Sequence, residues 1–243
     1  MSIWGKIIGG AAGFAIGGPI GALIGAVAGH AVDRARAQSS TAPEDATKSI
    51  AFTIATIALG AKMAKADGVV TRDEVDVFKQ VFRVPPEEVK NVSRVFDQAR
   101  RDSGGFEPYA RQISGMFAEQ PAVLEELLYC LTLIARADGV MHPGEIVYLR
   151  SVSDIFGLDN AAFERITEIT TGGDSADPYK VLGVSRDLSN DALKAAYRKL
   201  VRENHPDKLI ADGMPEDLVE MANDKLAAIN NAYDKISAER GIK

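Results

Sequence analysis

The chain has 243 residues, of which 46% are hydrophobic and 26% are charged. These fractions are typical of globular proteins, so they exclude a wholly disordered chain and a polytopic membrane protein. The formal net charge of -6 argues against a general nucleic-acid coat, because phosphate binding depends on accumulated lysine and arginine. The single cysteine, Cys130, excludes an internal disulfide framework and a Cys-x-x-Cys zinc or redox site.

The motifs of several enzyme classes are missing from the sequence. It has no Gly-x-x-x-x-Gly-Lys-Ser/Thr phosphate loop, no Gly-x-Ser-x-Gly elbow and no His-Glu-x-x-His zinc motif. Its three histidines, His30, His142 and His205, lie far apart in the sequence. We therefore predict a protein that is not an enzyme and that carries no cofactor.

The amino-terminal segment, residues 1–32, is predicted to be a membrane anchor. No charged residue occurs from Ile7 to Gly29, and a helix of that length, at about 1.5 Å per residue, spans the roughly 30 Å hydrocarbon layer. Glycine recurs at every fourth position, so one face of such a helix is flat and allows a second copy to approach closely. We therefore predict a homo-oligomer packed through Gly9, Gly13, Gly17, Gly21 and Gly25.

Pro19 follows Gly17 and Gly18, so a spanning helix is expected to be kinked there. Two alternatives to this kinked span remain open. One is a re-entrant or interfacial hairpin broken at Gly18-Pro19. The other is a secretory signal peptide cleaved near Ala28, which would release a soluble protein.

The middle of the chain is predicted to be a linker followed by an all-α domain. Residues 33–48 contain Ser, Thr and Pro and too little apolar area to fold alone. In residues 49–172 apolar residues recur at three- and four-residue spacings, the pattern of helices. An internal repeat, AKADGVVT at 64–71 and ARADGVMH at 135–142, places a helix-ending glycine in each copy. This repeat resembles the TerB tellurite-resistance family, which implies a helical module, and we expect that module to select an unidentified client.

The acidic residues of the two repeats allow two interpretations. In the first they are caps and turn residues of the helices that follow. In the second they converge as oxygen ligands of a divalent cation, although their spacing does not fit an EF-hand. The second interpretation makes the protein a membrane-associated stress or divalent-metal-sensing scaffold. The four acids are Asp67, Glu74, Asp138 and Glu145.

Residues 173–243 are predicted to form a further helical domain. Asp177 is a helix cap followed by Pro178 at the first helical position, and the short helix ends at Gly183. Ser189 caps a longer helix, which has an apolar face and a basic stripe.

The longer helix is predicted to end near Asn204, because Pro206 disfavours the α conformation in the residue before it. A second long helix begins after Pro215, so the pair forms an antiparallel hairpin. His205-Pro206-Asp207 then lies in a turn at the tip of that hairpin, at one end of the basic stripe. Taken alone, Asp207 is most simply a loop cap and the basic residues a solvated face.

Five short segments in this region occur in the order found in DnaJ-type J domains, and the region resembles that family. The resemblance implies that the tip and the basic helix bind a DnaK-type chaperone and stimulate its ATP hydrolysis. It implies that Asp207 pairs with a cation of the partner and that His205 holds the shape of the loop. The segments are DPY at 177–179, LGV at 182–184, AYRKL at 196–200, HPDK at 205–208 and NNAY at 230–233. The implied partner-binding residues are His205, Pro206, Asp207, Lys194, Tyr197, Arg198, Lys199 and Arg202.

The order of glycine-rich segment, TerB-like region and terminal J domain resembles the DjlA family of membrane-anchored bacterial co-chaperones. That resemblance implies a protein of the bacterial inner membrane with its soluble domains facing the cytoplasm. The predicted partners are a DnaK-type chaperone ATPase, the membrane, a second copy of the chain and the client of the TerB-like region, with no nucleic acid among them.

Overall fold

The computed structural model describes residues 16–28, 44–66, 84–86, 88–102 and 104–242. Within these ranges every regular element is a helix, which confirms the predicted all-α class. The first seven helices are α1 (Gly18–Ala28), α2 (Glu44–Ala66), α3 (Val89–Arg101), α4 (Glu107–Met116), α5 (Pro121–Ala135), α6 (Pro143–Ile155) and α7 (Asn160–Gly172). The last four are α8 (Pro178–Leu182), α9 (Asn190–Glu203), α10 (Pro206–Ala211) and α11 (Val219–Arg240), with short 3₁₀ turns at Gly173–Ser175 and Glu216–Leu218.

Local capping sets the boundaries of the carboxy-terminal helices as predicted. The Asp177 carboxylate accepts a hydrogen bond from the Tyr179 N–H, and the Ser189 hydroxyl accepts one from the Ala192 N–H. Gly183 ends α8 in the left-handed conformation, with φ of 65°. Such caps satisfy backbone groups that the helix itself leaves unpaired.

The tip of the hairpin differs from the predicted turn. Pro206 is the first residue of a new helix, α10, and His205 is its N-cap. Proline suits this position because the amide hydrogen it lacks has no partner in the first turn of a helix.

The main hydrophobic core lies around α2 and α5 and also includes side chains from the carboxy-terminal helices. Phe52 of α2 and Phe117 after α4 meet edge to face, with ring centroids 6.4 Å apart. Leu209, Met214 and Leu218 are buried in this same core. A second, smaller core holds α8, α9 and α11 together; its members are Tyr179, Val181, Leu182, Leu193, Leu200, Ile229, Ala232 and Ile236.

Helix α1 packs on the protein body through Ile20, Leu23 and Ile24, which are buried in the main core. The side-chain amide of Gln112 holds its first turn: the oxygen accepts from the Ile20 N–H at 2.9 Å, and the nitrogen donates to the Gly17 carbonyl at 2.9 Å. No helix in the described ranges combines the length and the apolar character needed to cross a bilayer.

The predicted glycine stripe is described only in part. Gly17 precedes α1 with φ of 58°, Gly21 is buried and Gly25 is exposed. Gly9 and Gly13 lie outside the described residues. Packing of this stripe against a second copy therefore stays a prediction.

Candidate functional site

The outer face of α9 carries three exposed cations, Arg198, Lys199 and Arg202. The opposite face buries Leu193 and Leu200 against the smaller core, so packing of the apolar positions turns the cations outward. Lys194, one turn earlier, is half-buried at the edge of the group. We call the four residues the cationic face.

The tip follows directly on the cationic face and consists of His205, Pro206 and Asp207. Pro206 is buried, whereas the side chain of Asp207 is 90% exposed and that of His205 is 51% exposed. The Asp207 N–H donates to Nδ1 of His205 at 3.2 Å. The backbone of Asp207 and the His205 ring close the first turn of α10, and the Asp207 carboxylate is left exposed to solvent.

The base of the tip is held by the main core. Leu209 of α10 is fully buried there, as is Met214 in the following turn. Between them Gly213 has φ of 108°, and a Cβ at this position would lie 2.8 Å from Cβ of Lys48 and 3.1 Å from a ring carbon of Phe117. The turn after α10 therefore requires glycine both for its backbone conformation and for its close approach to the body.

Tyr197 lies apart from the exposed cations that were predicted to act with it. Its ring stacks on that of Tyr233 with centroids 4.0 Å apart, and its hydroxyl donates to Oδ1 of Asn230 at 3.0 Å. Burial raises the pKa of Tyr197. The structure therefore gives Tyr197 a role in holding α9 on α11.

Arg240, in the last turn of α11, holds the end of the hairpin opposite the tip, a structural role that the sequence analysis missed. Its guanidinium donates to the carbonyls of Arg186 and Leu188, each at 2.6 Å, and to the Tyr179 hydroxyl at 3.1 Å. It thereby ties the end of α11 to the connection between α8 and α9. A basic residue in the last turn of a helix is the only local signal for it, and that signal does not reveal such distant partners.

The acids considered as metal ligands are described for the second repeat only, since Asp67 and Glu74 lie outside the described residues. Asp138 accepts from the Val140 N–H at 2.9 Å, and Glu145 accepts from the His142 N–H at 2.8 Å at the start of α6. The hydrogen bond from Val140, supported by His142, lowers the pKa of Asp138. Both carboxylates thus act in the turn and the cap, and the described part of the chain contains no group of three or more residues suited to a metal ion.

Three regions of the chain match known protein families. Residues 1–39 match the co-chaperone DjlA transmembrane domain, residues 53–168 match the tellurite resistance protein TerB and residues 177–241 match the DnaJ domain. We call the last two the TerB region and the J region.

Relatives align over the whole chain. The co-chaperone protein DjlA of Vibrio cholerae is 31% identical over 284 residues, and that of Aliivibrio fischeri is 30% identical over 283 residues; each alignment covers 100% of both chains. The co-chaperone protein DjlA of Escherichia coli K12 is 27% identical over 271 residues, again with 100% of both chains. No solved structure matches the chain. The family matches, their order and the relatives together show that the chain belongs to the DjlA family of membrane-associated J-domain co-chaperones.

Proposed function

We propose that the chain binds a DnaK-type chaperone through the tip and the cationic face and stimulates the ATP hydrolysis of that partner. The observation that carries this proposal is the Asp207 carboxylate, which is 90% exposed at the tip that follows α9 and its exposed cations in the chain. Such a carboxylate is available to a cation on another protein.

The exposed cations of α9 and the Asp207 carboxylate have different roles in recognition of the partner. Exposed cations attract an acidic surface and orient the encounter, which chiefly affects the association rate. A carboxylate at the centre of the contact loses its water on binding and forms a specific pair, so its loss affects the stability of the complex more strongly. We therefore assign steering to Arg198, Lys199 and Arg202 and the central pair to Asp207.

His205 acts in this proposal as a positioning residue. Its Nδ1 accepts from the Asp207 N–H, which fixes the tautomer with the proton on Nε2 and fixes the ring over the first turn of α10. The protein contributes a surface to its partner, and the hydrolysis takes place in the partner.

Attachment to the membrane would raise the effective concentration of the activated partner there. We place the J region on the cytoplasmic side of the bacterial inner membrane, because a DnaK-type partner is cytosolic. Packing of the glycine stripe would bring two J regions together, and the TerB region would select the client. The order of the family matches supports attachment of the J region to the membrane through the amino-terminal segment.

The decisive experiment is single-turnover ATP hydrolysis by a purified DnaK-type chaperone in the presence of the full-length protein. We expect Asp207→Asn to reduce stimulation about 30-fold or more, because removing one member of a desolvated charge pair costs at least ~2 kcal/mol. Asp187→Asn, which changes another exposed acid in the connection before α9, is the matched control and should stimulate as the unchanged protein does.

Circular dichroism should show the same helix content in both variants, since the Asp207 side chain is 90% exposed and its backbone N–H makes the hydrogen bond to His205. Undiminished stimulation by Asp207→Asn, in a preparation where the unchanged protein is active, would refute the proposed mechanism.

A further inference from the structure

Four charged side chains are buried together where α11 meets α5 and α7. Nζ of Lys225 lies 3.0 Å from Oε2 of Glu126 and 3.1 Å from Oε1 of Glu125. Nε of Arg165 lies 3.3 Å from the same Glu125 oxygen. Their side chains are 1% exposed for Lys225, 0% for Glu126, 10% for Glu125 and 8% for Arg165. We call these four residues the charge cluster.

The charge cluster joins two regions that are far apart in the sequence. Glu125, Glu126 and Arg165 belong to the TerB region, whereas Lys225 belongs to the J region. Two acids face two cations, so the buried group is neutral only while Lys225 is in place. Burial of an unpaired carboxylate is strongly unfavourable, and within the described residues Lys225 is the cation that pairs with Glu126.

The titration behaviour of the pair agrees with this geometry. The two glutamates raise the pKa of Lys225 against the opposing effect of burial. Burial raises the pKa of Glu126, and Lys225 opposes that rise. Each member of the pair thus favours the charged form of the other.

Apolar contacts surround the charge cluster on the same interface. Sδ of Met221, one turn before Lys225, lies 3.3 Å from Sγ of Cys130 on α5. At the other end of the interface Gly183 comes so close to α7 that a Cβ would lie 3.2 Å from Cβ of Ala161. The J region therefore meets the TerB region at both α8 and α11.

The tip lies on the chain between these contacts. Leu209 and Met214 follow it into the main core, and α11 then carries Met221 and Lys225 onto α5. The chain on the carboxyl side of Asp207 is thus attached to the TerB region, while Asp207 itself stays exposed.

We propose that the TerB region is the docking surface of the J region of the same chain, with insertion of Lys225 between Glu125 and Glu126 as the lock that holds the tip in one orientation. The occupant of the α5 surface is α11, and a docked J region without the Lys225 cation would leave two buried acids with one cation, so loss of this cation favours release. The proposal concerns the interface inside the chain and does not rest on the partner proposed above.

Cys130 provides a reporter of docking in the natural sequence, because it is the only cysteine and is fully buried under Met221. The experiment measures alkylation of full-length protein in detergent by N-ethylmaleimide under native conditions. We expect Lys225→Ala to accelerate alkylation at least tenfold. Lys235→Ala, which changes an exposed lysine of the same helix, should leave the rate unchanged.

A second variant distinguishes the lock from general damage to α11. In Glu126→Gln with Lys225→Met the charge is removed from both sides, and Glu125 keeps Arg165, so we expect slow alkylation to return. Limited proteolysis of Lys225→Ala should cut between residues 172 and 177 and leave both regions resistant. Undocking of two folded regions gives this pattern, whereas unfolding would expose cleavage sites throughout them.

Three results would overturn the proposal. One is alkylation of Lys225→Ala at the rate of the unchanged protein. Another is rapid alkylation of the double variant, because the interface would then stay open although its buried charges are balanced again. The third is digestion of Lys225→Ala throughout both regions.

Discussion

The rings of Tyr197 and Tyr233 stack almost parallel, with an interplanar angle of 8°, so that α9 is fixed to α11 through an aromatic pair. The Tyr197 hydroxyl adds a hydrogen bond to Asn230. The hairpin that carries the tip is therefore braced halfway along its length, and one of the bracing residues is Tyr197, which the J-domain resemblance implies to be a partner-binding residue.

Tyr197→Phe tests whether the Tyr197 hydroxyl stabilises the hairpin or contacts the partner. We expect it to keep the stack and lose the hydrogen bond, which lowers the free energy of unfolding by about 0.5–1.5 kcal/mol. Tyr197→Ala loses the stack as well and should cost ~2 kcal/mol or more. Urea denaturation followed by circular dichroism measures both. If Tyr197 contacts the partner through its hydroxyl instead, Tyr197→Phe will reduce ATPase stimulation while leaving the unfolding midpoint unchanged.

The cationic face should affect association more than dissociation. Arg198→Ala and Arg202→Ala should each slow association with the partner about two- to fivefold at low salt, the equivalent of ~0.5–1 kcal/mol. The difference should fade as salt rises, because screening weakens interactions between exposed charges. Stopped-flow association at several salt concentrations measures this effect, with Lys235→Ala as the control. A loss that is independent of salt would contradict steering.

Asp102 gives the protein a predictable response to acid. Its carboxylate accepts hydrogen bonds from the Gly104 N–H, from Lys62 Nζ and from the Tyr109 hydroxyl, each at 3.1 Å. Led by the Gly104 hydrogen bond, with Lys62 and Tyr109, these contacts lower the pKa of Asp102 from its ordinary value of 3.8. Conversely, burial and the neighbouring Asp102 carboxylate raise the pKa of Tyr109 to about 12.

A carboxyl group with a lowered pKa in the folded protein stabilises the fold above its unfolded pKa, and this contribution is lost as the pH falls through the folded pKa. The difference in Tm between the unchanged protein and Asp102→Asn should therefore be constant near neutral pH. It should shrink as the pH falls below the ordinary value of 3.8. Thermal melts across that range measure the effect, and a difference that grows on acidification would show that the sign is wrong.

Glu145 distinguishes a helix cap from a metal ligand. Since it accepts from the His142 N–H at the start of α6, Glu145→Ala should lower the free energy of unfolding by about 0.5–2 kcal/mol. The loss should be the same with and without calcium, magnesium or zinc. Titration of the full-length protein with each metal is the companion measurement, and stabilisation by millimolar metal that disappears in Glu145→Ala would favour the metal-sensing alternative.

The features that the sequence predicts well are those set by neighbouring residues. The caps at Asp177 and Ser189 and the glycine stop at Gly183 are found where the pattern placed them, because each is made within a few residues. The same capping rules also allow a prediction of helix α10, because Pro206 after His205 is a typical helix start. The prediction from the sequence is instead a turn at residues 205–207.

Neighbouring residues in the sequence do not predict the charge cluster. Lys225 lies 99 residues from Glu126 in the sequence, and a lysine between apolar positions of a helix is normally exposed. Nothing near Lys225 in the sequence indicates two acids on a distant helix. The same applies to Arg240, whose carbonyl partners at Arg186 and Leu188 carry no sequence signal, because any residue supplies a backbone carbonyl.

The absence of a side chain at Gly213 has a genetic consequence. Because this turn touches Phe117 and Lys48 immediately beyond α10, lesions that impair co-chaperone activity need not fall on surface positions. A selection for inactive alleles should recover changes at Gly213 and Phe117 beside those at Asp207, and the first two should be partly rescued by growth at lower temperature while the last should not.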